Sequence, residues 1–486
     1  MADSSERDAL GSLAAAAHER HVVIVGGGIA GVVAALECVK FGLRVTLLEA
    51  SGRLGGTVGP IEVAGLRLDA AAEGWSTRGG AVRALAMELG LESAIVPATD
   101  APTWISGLRS GAAPVPSASI AGIPQNPWDE AVREIIGWSG AWRAFVDRVR
   151  PPLTIGKERS LGKLVRTRMG DAVLERLVAP VSLGVYGTHP DDIDVEAVAP
   201  GLSTALTRTG SLSGAVTDLL VDRRSGPSLE TIDGGMLRLV QAAESRLVEL
   251  GADVRVNAPA ASLERGEDGR WVIGLESVEA EPVETADHVI VATPEAEARR
   301  LLAPVVPGID ASLEPHEAVE VVTLVVRGPS LDSAPRGAAV YPVPGTARAT
   351  GLTHSTARWP WLAAAAGSGV HVLRVGFGAA GAPAATAGLD DSAAFALARD
   401  EASALLGVSL DDVVGAARVR FEPARPASEL GRAEAVDAVR EAIRAVAGLS
   451  AVGGWLAGSG LAQVVPDAVE AADDARRQAL WGDAAA

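Results

Sequence analysis

The chain has 486 residues, of which 48% are hydrophobic and 21% charged, so it is too long for one hydrophobic core and too apolar to be disordered. Cores stop growing at about 250–300 residues, and two or three domains are therefore expected. The 61 acidic and 43 basic residues give a formal net charge of -18, which argues against binding nucleic acid or an anionic membrane through overall charge.

Residues 1–18 predict a loose tail, because they carry early acidic residues and lack the basic start and apolar core of a signal peptide. A membrane-spanning helix needs about 20 apolar residues without helix breakers. The long uncharged run at residues 110–128 contains four prolines. The single cysteine, Cys38, excludes an intramolecular disulfide and fits a reducing compartment. We therefore expect a cytoplasmic protein with no transmembrane segment.

Residues 21–50 predict a strand, a glycine turn, an alanine-rich helix and a second strand. Gly26, Gly28 and Gly31 form a GxGxxG motif, and Glu49 closes the second strand. In a dinucleotide-binding fold these glycines permit the tight turn, the approach of the pyrophosphate and close helix packing, and the acidic residue binds ribose hydroxyls. The unit therefore predicts a dinucleotide-binding domain.

A second GxGxxG motif is formed by Gly376, Gly378 and Gly381. Pro383 and Gly388 follow it, so no helix can begin directly after the glycines. The motif predicts a loop beyond a strand, and we expect no separate NAD(P) domain.

The remaining sequence patterns predict where the domains begin and end. Helical periods interrupted by prolines occupy residues 100–227, and strand-like runs separated by turn residues predominate within residues 301–429. The predicted fold class is α/β. It comprises a discontinuous Rossmann-like nucleotide-binding domain (19–99, 228–300 and 430–486), an inserted helical subdomain (100–227) and a substrate domain with a mixed antiparallel sheet (301–429).

Three separated motifs occur in a recognisable order: RLGGT at residues 53–57, AEGW at 72–75 and GGWLAGSGLAQVVP at 453–466. Together they resemble the flavoprotein family that includes protoporphyrinogen oxidases, amine oxidases and phytoene desaturases. Within it, the segments VYGTHPDDIDVEAVAPGL, GLTHSTARWPWLA and VGGWLAGSGLAQVVPDA are similar to the soluble, actinobacterial-type coproporphyrinogen III oxidases. The resemblance spans nearly the whole chain.

This resemblance implies a non-covalent FAD and oxidation of coproporphyrinogen III to coproporphyrin III in haem biosynthesis. Six electrons would leave in three two-electron steps, each reducing the flavin, with three O2 reduced to three H2O2. The flavin carries the difficult chemistry in such enzymes. The implied partners are the porphyrinogen, O2 and other enzymes of the haem pathway.

The resemblance also places the cofactor contacts. They comprise the glycine loop, the ribose anchor, the flavin-side segments, an adenine contact and the terminal flavin turn: Gly26, Gly27, Gly28, Ile29, Ala30, Gly31, Glu49, Ala50, Arg53, Gly56, Thr57, Ala72, Glu73, Gly74, Trp75, Ala260, Ser459, Gly460 and Leu461. Where many members have a tryptophan, a proline and an aromatic residue, this chain has FEPARP at residues 421–426. That departure leaves the substrate side undefined.

Candidate substrate contacts are arginines, because a protein with net charge -18 repels a tetra-anionic porphyrinogen at long range. Arg78 follows the predicted flavin-side segment, and Arg166 and Arg168 lie in the helical segment. Arg78 is also consistent with a solvated surface residue.

Several other residues have a structural interpretation. Cys38 is expected to be a buried core thiol. The seven histidines show no pair at helical metal spacing, so no metal is expected, although His189 and His354 are candidate pocket residues. Trp138 and Trp142 are four residues apart, a spacing that predicts one helix face packed in the core.

Other functions remain open. A protoporphyrinogen IX oxidase is one alternative. An amine oxidase of the same fold is another, although the chain has only two tyrosines and three lysines, residues that such enzymes often place at the flavin. A carotenoid desaturase is disfavoured by the absence of a long apolar surface segment. A cofactor-free binding protein that resembles prenylated-GTPase escorts conflicts with the intact glycine motif and Glu49.

Overall fold

The computed structural model describes residues 17–149, 158–221, 228–276, 283–312, 317–422 and 426–481. Most of the predicted tail, residues 1–16, lies outside this part, as do residues 423–425 of the departing FEPARP segment. Ala17 is described and is only 2% exposed.

The strands are, in chain order, His21–Val25, Arg44–Leu48, Pro60–Val63, Leu66–Asp69, Trp75–Ser76, Ile95–Pro97, Thr103–Leu108, Gly111–Pro114, Ser119–Ile120, Ile123–Pro124, Leu229–Ile232, Asp253–Arg255, Ala260–Arg265, Trp271–Leu275, Val283–Ala286, His288–Val291, Val319–Arg327, Ala339–Pro342, Gly351–His354, Val370–Phe377, Asp412–Phe421 and Leu449–Ala451.

The α-helices are Ile29–Val39, Ala81–Glu88, Glu130–Phe145, Leu161–Met169, Asp171–Val173, Ala179–Tyr186, Val195–Val198, Leu202–Thr209, Leu212–Val221, Leu237–Glu249, Glu295–Leu302, Ser355–Arg358, Pro360–Ala366, Asp391–Leu406, Arg432–Arg444, Gly454–Ala457 and Leu461–Trp481. Leu174–Val178 is a π-helical stretch. Short 3₁₀ turns cover Glu92–Ala94, Val146–Val149, Pro190–Asp192 and Pro329–Leu331.

A five-stranded parallel sheet forms the centre of the nucleotide-binding part. Its strand order is Asp253–Arg255, Arg44–Leu48, His21–Val25, His288–Val291 and Leu449–Ala451. The central strand is buried along its whole length, as expected for a parallel strand covered on both faces. The predicted Rossmann-like domain is confirmed in its secondary structure and pairing.

Two helices from opposite ends of the chain pack together beside this sheet. Ile29–Val39 contacts the C-terminal helix Leu461–Trp481, and alanines of both helices, including Ala34, Ala35 and Ala472, are fully buried between them. Small side chains allow helix axes to approach closely, because the interaxial distance depends on the residues at the contact. Two helices more than 400 residues apart in the chain thus share one core.

A seven-stranded mixed sheet forms the second domain. Its order is Asp412–Phe421, Val319–Arg327, Val370–Phe377, Gly351–His354, Ala339–Pro342, Thr103–Leu108 and Gly111–Pro114. All neighbours are antiparallel except Ala339–Pro342 with Thr103–Leu108. The predicted mixed antiparallel sheet is confirmed. The start of the predicted helical subdomain is wrong, because residues 103–114 pair with this sheet and the first helix of that region begins at Glu130.

The helical region after Glu130 has its own buried core, which includes Ile136, Leu161 and Leu177. The prediction that Trp138 and Trp142 pack in this core is wrong. Trp138 is 66% exposed and Trp142 is 59% exposed, and both lie near Trp128 at the surface. Gly137, with φ of 73°, interrupts the helix just before Trp138.

The second glycine motif is a strand end and a loop, as predicted. Gly376 lies in Val370–Phe377, Gly378 has φ of 88°, and the next helix begins only at Asp391. In the part of the chain that the structure describes, no helix combines the length and the apolar character needed to cross a bilayer.

Candidate flavin site

The first glycine loop has the three properties that the sequence predicts. Gly26 has φ of 109°, and a Cβ atom there would lie 2.7 Å from the carbonyl oxygen of Ala292. A Cβ atom on Gly31 would overlap the carbonyl oxygen of Gly26. A Cβ atom on Gly28 would meet nothing within 4 Å. Two glycines therefore allow close packing, and the third leaves an open approach at the start of the helix Ile29–Val39.

Glu49 lies at the end of the second parallel strand and faces this loop. Its Oε2 accepts a 2.7 Å hydrogen bond from the amide of Gly27, and its Oε1 accepts a 2.7 Å bond from the amide of Ser51. Each carboxylate oxygen has a second lone pair. Glu49 therefore braces the loop and still has acceptor capacity for hydroxyl groups.

The RLGGT segment lies directly on the glycine loop. The amide of Gly55 donates to the carbonyl oxygen of Gly27 at 2.8 Å, and a Cβ atom on Gly56 would lie 3.3 Å from Cα of Gly28. The Arg53 guanidinium donates to the carbonyl oxygen of Gly56 at 3.0 Å. Arg53 thus folds the segment on itself, while Thr57 is exposed.

The predicted flavin-side segment is part of a connection that we call the strap, residues 70–75. It contains Ala72, Glu73, Gly74 and Trp75, and it runs from the strand Leu66–Asp69 into the strand Trp75–Ser76. Trp75 is 2% exposed. A Cβ atom on Gly74 would lie 2.5 Å from the carbonyl oxygen of Glu230, so the strap is tightly packed on one side.

Arg374 anchors the strap, and the sequence analysis missed it. It lies on the strand Val370–Phe377, is 8% exposed, and donates to the carbonyl oxygens of Ala70 at 2.7 Å and Ala71 at 2.9 Å. Its guanidinium also lies 3.4 Å from the Glu73 carboxylate. The available signal was a single charge inside an otherwise apolar strand, VHVLRVGF.

Asp69, just before the strap, is a second buried acid at this point. Its Oδ1 accepts a 2.9 Å hydrogen bond from the amide of Met236. Burial raises the pKa of Asp69 to about 6, and the neighbouring Glu73 charge adds to the rise, whereas the Met236 amide and Arg374 oppose it. Asp69 therefore exchanges a proton near neutral pH.

The terminal flavin turn meets the other motifs through one core. Leu461 begins the helix Leu461–Trp481 and belongs to the same buried cluster as Ile29, Leu54 and Trp75. Ser459 and Gly460 are exposed just before this helix. Segments separated by some 400 residues are thus brought into one cluster.

The predicted adenine contact, Ala260, follows a segment that is bonded to Glu49. The amide of Ala258 donates to the Glu49 carbonyl oxygen at 2.8 Å, and Ala260 begins the following strand. The Ala260 carbonyl oxygen accepts a 2.8 Å bond from Arg300. Ala50 is exposed beside Glu49, and Ala30 is buried in the glycine-loop helix.

The structure separates the three candidate arginines. Arg78 is exposed three residues after Trp75, and it forms no ion pair with a described residue. Arg166 is partly exposed and pairs with Asp191 at 3.1 Å. The prediction that Arg168 contacts substrate is corrected, because its side chain is only 10% exposed and is ion-paired with the fully buried Asp147.

The candidate pocket histidines do not face the strap. His354 is 1% exposed, and its Nε2 lies 3.2 Å from Nδ1 of His371, whose Nε2 lies 3.1 Å from Asp332. Burial lowers the pKa of His354 to about 4. Because strand residues alternate between faces, His371 and Arg374 lie on opposite faces of the sheet. His189 is half-exposed and lies near Asp191.

Cys38 is fully buried, and desolvation raises the pKa of its thiol to about 12. The predicted core thiol is confirmed. Within the described ranges, no three His, Cys, Asp or Glu side chains are grouped as a metal site would require.

The sequence model of the flavin containing amine oxidoreductases matches residues 29–478, a span that begins with the glycine-loop helix and includes the RLGGT segment, the strap and the 459–461 turn. The chain belongs to the flavin-containing amine oxidoreductase family. Membership makes it a flavin-dependent oxidoreductase, and it confirms the predicted resemblance. The open approach at Gly28 and the free acceptor capacity of Glu49 fit a bound flavin nucleotide.

Two curated relatives span almost the whole chain. The coproporphyrinogen III oxidase of Mycobacterium tuberculosis is 29% identical over 456 residues, which cover 91% of this chain and 94% of that protein. The coproporphyrinogen III oxidase of Mycobacterium leprae is 30% identical over 430 residues, which cover 87% and 91%.

Solved structures share the fold. A crystal structure from Exiguobacterium sp. 255-15, provisionally described as a protoporphyrinogen oxidase, has a TM-score of 0.81 at 24% identity and covers 95% of this chain and 99% of its own. Wild-type putrescine oxidase bound to putrescine has a TM-score of 0.63 at 18% identity, with 94% and 98% covered. These likenesses show that the fold is shared.

Proposed function

We propose that this chain is an FAD-dependent coproporphyrinogen III oxidase with O2 as the electron acceptor. The observation that carries the cofactor part is the contact of the glycine loop with the RLGGT segment, through the 2.8 Å bond from Gly55 to Gly27. The substrate part is supported by relatives of that name that align over about nine-tenths of both chains.

In the proposed FAD site, each motif binds one part of the cofactor. The open face at Gly28 and the N-terminus of the helix Ile29–Val39 receive the pyrophosphate. Glu49 accepts hydrogen bonds from the ribose hydroxyls, and Ala260 lies on the adenine side. The 53–57 segment, the strap and the 459–461 turn hold the isoalloxazine end.

The proposed attachment is non-covalent. Cys38 is the chain's single cysteine, and it is fully buried in the core of the glycine-loop helix with its thiol pKa raised to about 12. A thiolate is the form of cysteine that reacts with an electrophile. The buried position and the raised pKa of the Cys38 thiol therefore support non-covalent binding.

The proposed reaction balances as one coproporphyrinogen III and three O2 giving one coproporphyrin III and three H2O2. The flavin, when bound, accepts two electrons at a time and transfers them to O2. The chain holds the cofactor rigidly between the parallel sheet and the strap, and Arg78 beside the strap meets a propionate of the substrate. Such a reaction belongs to haem biosynthesis.

The deciding experiment compares three substrate classes on the purified, FAD-loaded chain: coproporphyrinogen III, protoporphyrinogen IX and a panel of primary amines. We expect three O2 consumed for each porphyrin formed, read by oxygen uptake and porphyrin fluorescence, with coproporphyrinogen III preferred. Oxygen uptake with amines alone would replace the proposal with an amine oxidase. A yellow protein that prefers protoporphyrinogen would keep the cofactor and overturn the substrate.

A further inference from the structure

A small internal cavity lies between the strap and the seven-stranded sheet. Leu68, Leu362 and Val372 form its apolar wall, and six polar side chains complete the lining: Asp69, Glu73, Thr323, Trp359, Trp361 and Arg374. Its volume is about 10 Å³. That is the size at which a cavity accommodates one ordered water molecule.

Four polar groups that line this cavity are buried without a hydrogen-bond partner in the protein. They are Nε of Arg374, Oγ1 of Thr323, Nε1 of Trp359 and Nε1 of Trp361. Buried donors are almost always paired, because an unmade bond costs the full desolvation of the group. Unpaired donors around one small cavity indicate an occupant that accepts hydrogen bonds, and one water molecule can accept from two of them.

Two of these groups are placed for a shared partner. Thr323 and Arg374 are directly opposite each other in neighbouring antiparallel strands, so their side chains lie on the same face of the sheet. Both residues are at least nine-tenths buried. A single small molecule between them therefore reaches Oγ1 of Thr323 and Nε of Arg374 together.

The charged groups around the cavity indicate what kind of molecule occupies it. Asp69 and Glu73 supply two carboxylates against the one guanidinium of Arg374, which disfavours an anion. The guanidinium of Arg374 and the indole N–H groups of Trp359 and Trp361 have no lone pair to offer, which disfavours a metal cation. A water molecule accepts hydrogen bonds from two donors and donates its own two protons to acceptors such as carboxylates.

We propose that this cavity is an ordered-water site, and that Arg374 together with this water is the positioning unit that holds the strap against the flavin. Arg374 supplies the direct bonds to Ala70 and Ala71. The water links the Nε–H of Arg374 to the carboxylates of Asp69 and Glu73. The second half of this statement rests on the proposed function, because it places the flavin beside the strap.

The water is tested without flavin or substrate. In a high-resolution crystal structure of the full chain we expect a density peak about 2.7–3.2 Å from Nε of Arg374 and from Oγ1 of Thr323. The near-isosteric variant Thr323→Val should lose or displace it, while Thr323→Ser should keep it. An empty cavity in the wild type, or a peak that refines as an ion, would overturn the water site.

The positioning role is tested with Arg374→Lys and with a matched control. Arg418 lies on the same sheet and also donates to two main-chain carbonyls, those of Thr386 and Leu389, and pairs with acids. We expect Arg374→Lys to weaken FAD binding roughly ten- to hundredfold and to shift the flavin absorption spectrum. Arg418→Lys should leave both within about twofold, well under the tenfold that 1.4 kcal/mol represents.

Failure of the two proposals is distinguishable. If the wild type binds FAD but Arg374→Lys changes neither affinity nor spectrum in a folded protein, the positioning role is wrong. If Arg374→Lys does not fold, the milder Thr323→Val variant is measured instead. We expect its flavin absorption spectrum to shift, and an unchanged spectrum would contradict the positioning role. If the wild type binds no flavin, the proposed function fails, and the crystallographic test of the water still decides the cavity.

Discussion

The amide of Gly27 donates a 2.7 Å hydrogen bond to Oε2 of Glu49, so the acid at the end of one strand holds the glycine loop at the end of its neighbour. The other oxygen of Glu49 accepts from Ser51. One side chain therefore fixes the loop geometry and supplies the acceptors proposed for the ribose. Cofactor affinity and loop order depend on the same carboxylate.

Glu49→Gln should weaken FAD binding about 10- to 150-fold, because hydrogen bonds to a charged acceptor are worth roughly 1.5–3 kcal/mol. The new amide also presents N–H groups to the amides of Gly27 or Ser51, so we expect a lower melting temperature in the cofactor-free protein. FAD titration and thermal melts measure both. The exposed Glu62→Gln is the control, and an unchanged titration for Glu49→Gln would place the ribose elsewhere.

Gly28→Ala should impair FAD binding, whereas Gly31→Ala should lower the stability of the fold. The added methyl on Gly28 enters open space, so the protein should fold with nearly wild-type stability while FAD binding falls at least tenfold. The added methyl on Gly31 overlaps a carbonyl oxygen, and overpacking of this kind costs about 1–3 kcal/mol. Urea denaturation and FAD titration separate them. Equal loss of stability in both would contradict the open approach at Gly28.

The raised pKa of Asp69 predicts that the stability of the protein depends on pH. Its pKa is raised from 3.8 to about 6 in the folded state, so its stabilising contribution is complete below about pH 4 and is lost as the pH rises through 6. The full difference is on the order of 3 kcal/mol. In Asp69→Asn, the decline of unfolding free energy between pH 4 and 7 should be smaller by about that amount. Parallel wild-type and variant profiles would show that Asp69 has an ordinary pKa.

Arg78→Gln should weaken substrate binding, whereas Arg168→Gln should lower the stability of the fold. Arg78 is exposed, so its loss should raise the KM for coproporphyrinogen only severalfold, in line with about 0–1 kcal/mol for an exposed pair, with kcat nearly unchanged. Removing Arg168 leaves the buried Asp147 unpaired and should cost about 3–5 kcal/mol of stability. Steady-state kinetics and chemical denaturation measure the two effects. A KM effect from Arg168→Gln in a stable protein would reverse the correction made above.

Coproporphyrinogen should be preferred over protoporphyrinogen by about tenfold in kcat/KM, which corresponds to about 1.4 kcal/mol. We expect the two additional propionates to meet exposed arginines, so the preference should shrink as salt screens these pairs. Measuring both substrates at low and high ionic strength tests this. A preference that salt does not change would mean that the propionates bind in a desolvated pocket.

The glycine loop was predictable because its constraints are local. The turn at Gly26, the helix packing at Gly31 and the acid at Glu49 all follow from backbone geometry within 30 residues. The second GxGxxG was rejected on equally local grounds, since Pro383 prevents a helix there. Local rules were sufficient wherever a motif and its partners are adjacent in the chain.

Long-range pairing explains what was missed. Arg374 meets Ala70 and Ala71 across more than 300 residues, so one charge in an apolar strand gave no partner to look for. Residues 103–114 were assigned to a helical region because their strand partner, Ala339–Pro342, lies more than 200 residues later. Whether a short segment forms a strand depends on such distant pairing partners.

Chemical type alone misassigned other residues. A spacing of four placed Trp138 and Trp142 on one helix face, but it did not say which face points outward. An arginine suits a propionate and an internal aspartate equally well, and Arg168 is paired with Asp147. Burial, which distinguishes the two roles, is a property of the assembled fold.

The shared core of the helices Ile29–Val39 and Leu461–Trp481 has a consequence for synthesis on the ribosome. The helix Ile29–Val39 emerges with an apolar alanine face, and its partner is made more than 400 residues later. The edge strand Leu449–Ala451 of the parallel sheet is equally late. The cofactor loop is therefore translated hundreds of residues before its support exists, and the nascent chain exposes apolar surface of the kind that chaperones protect.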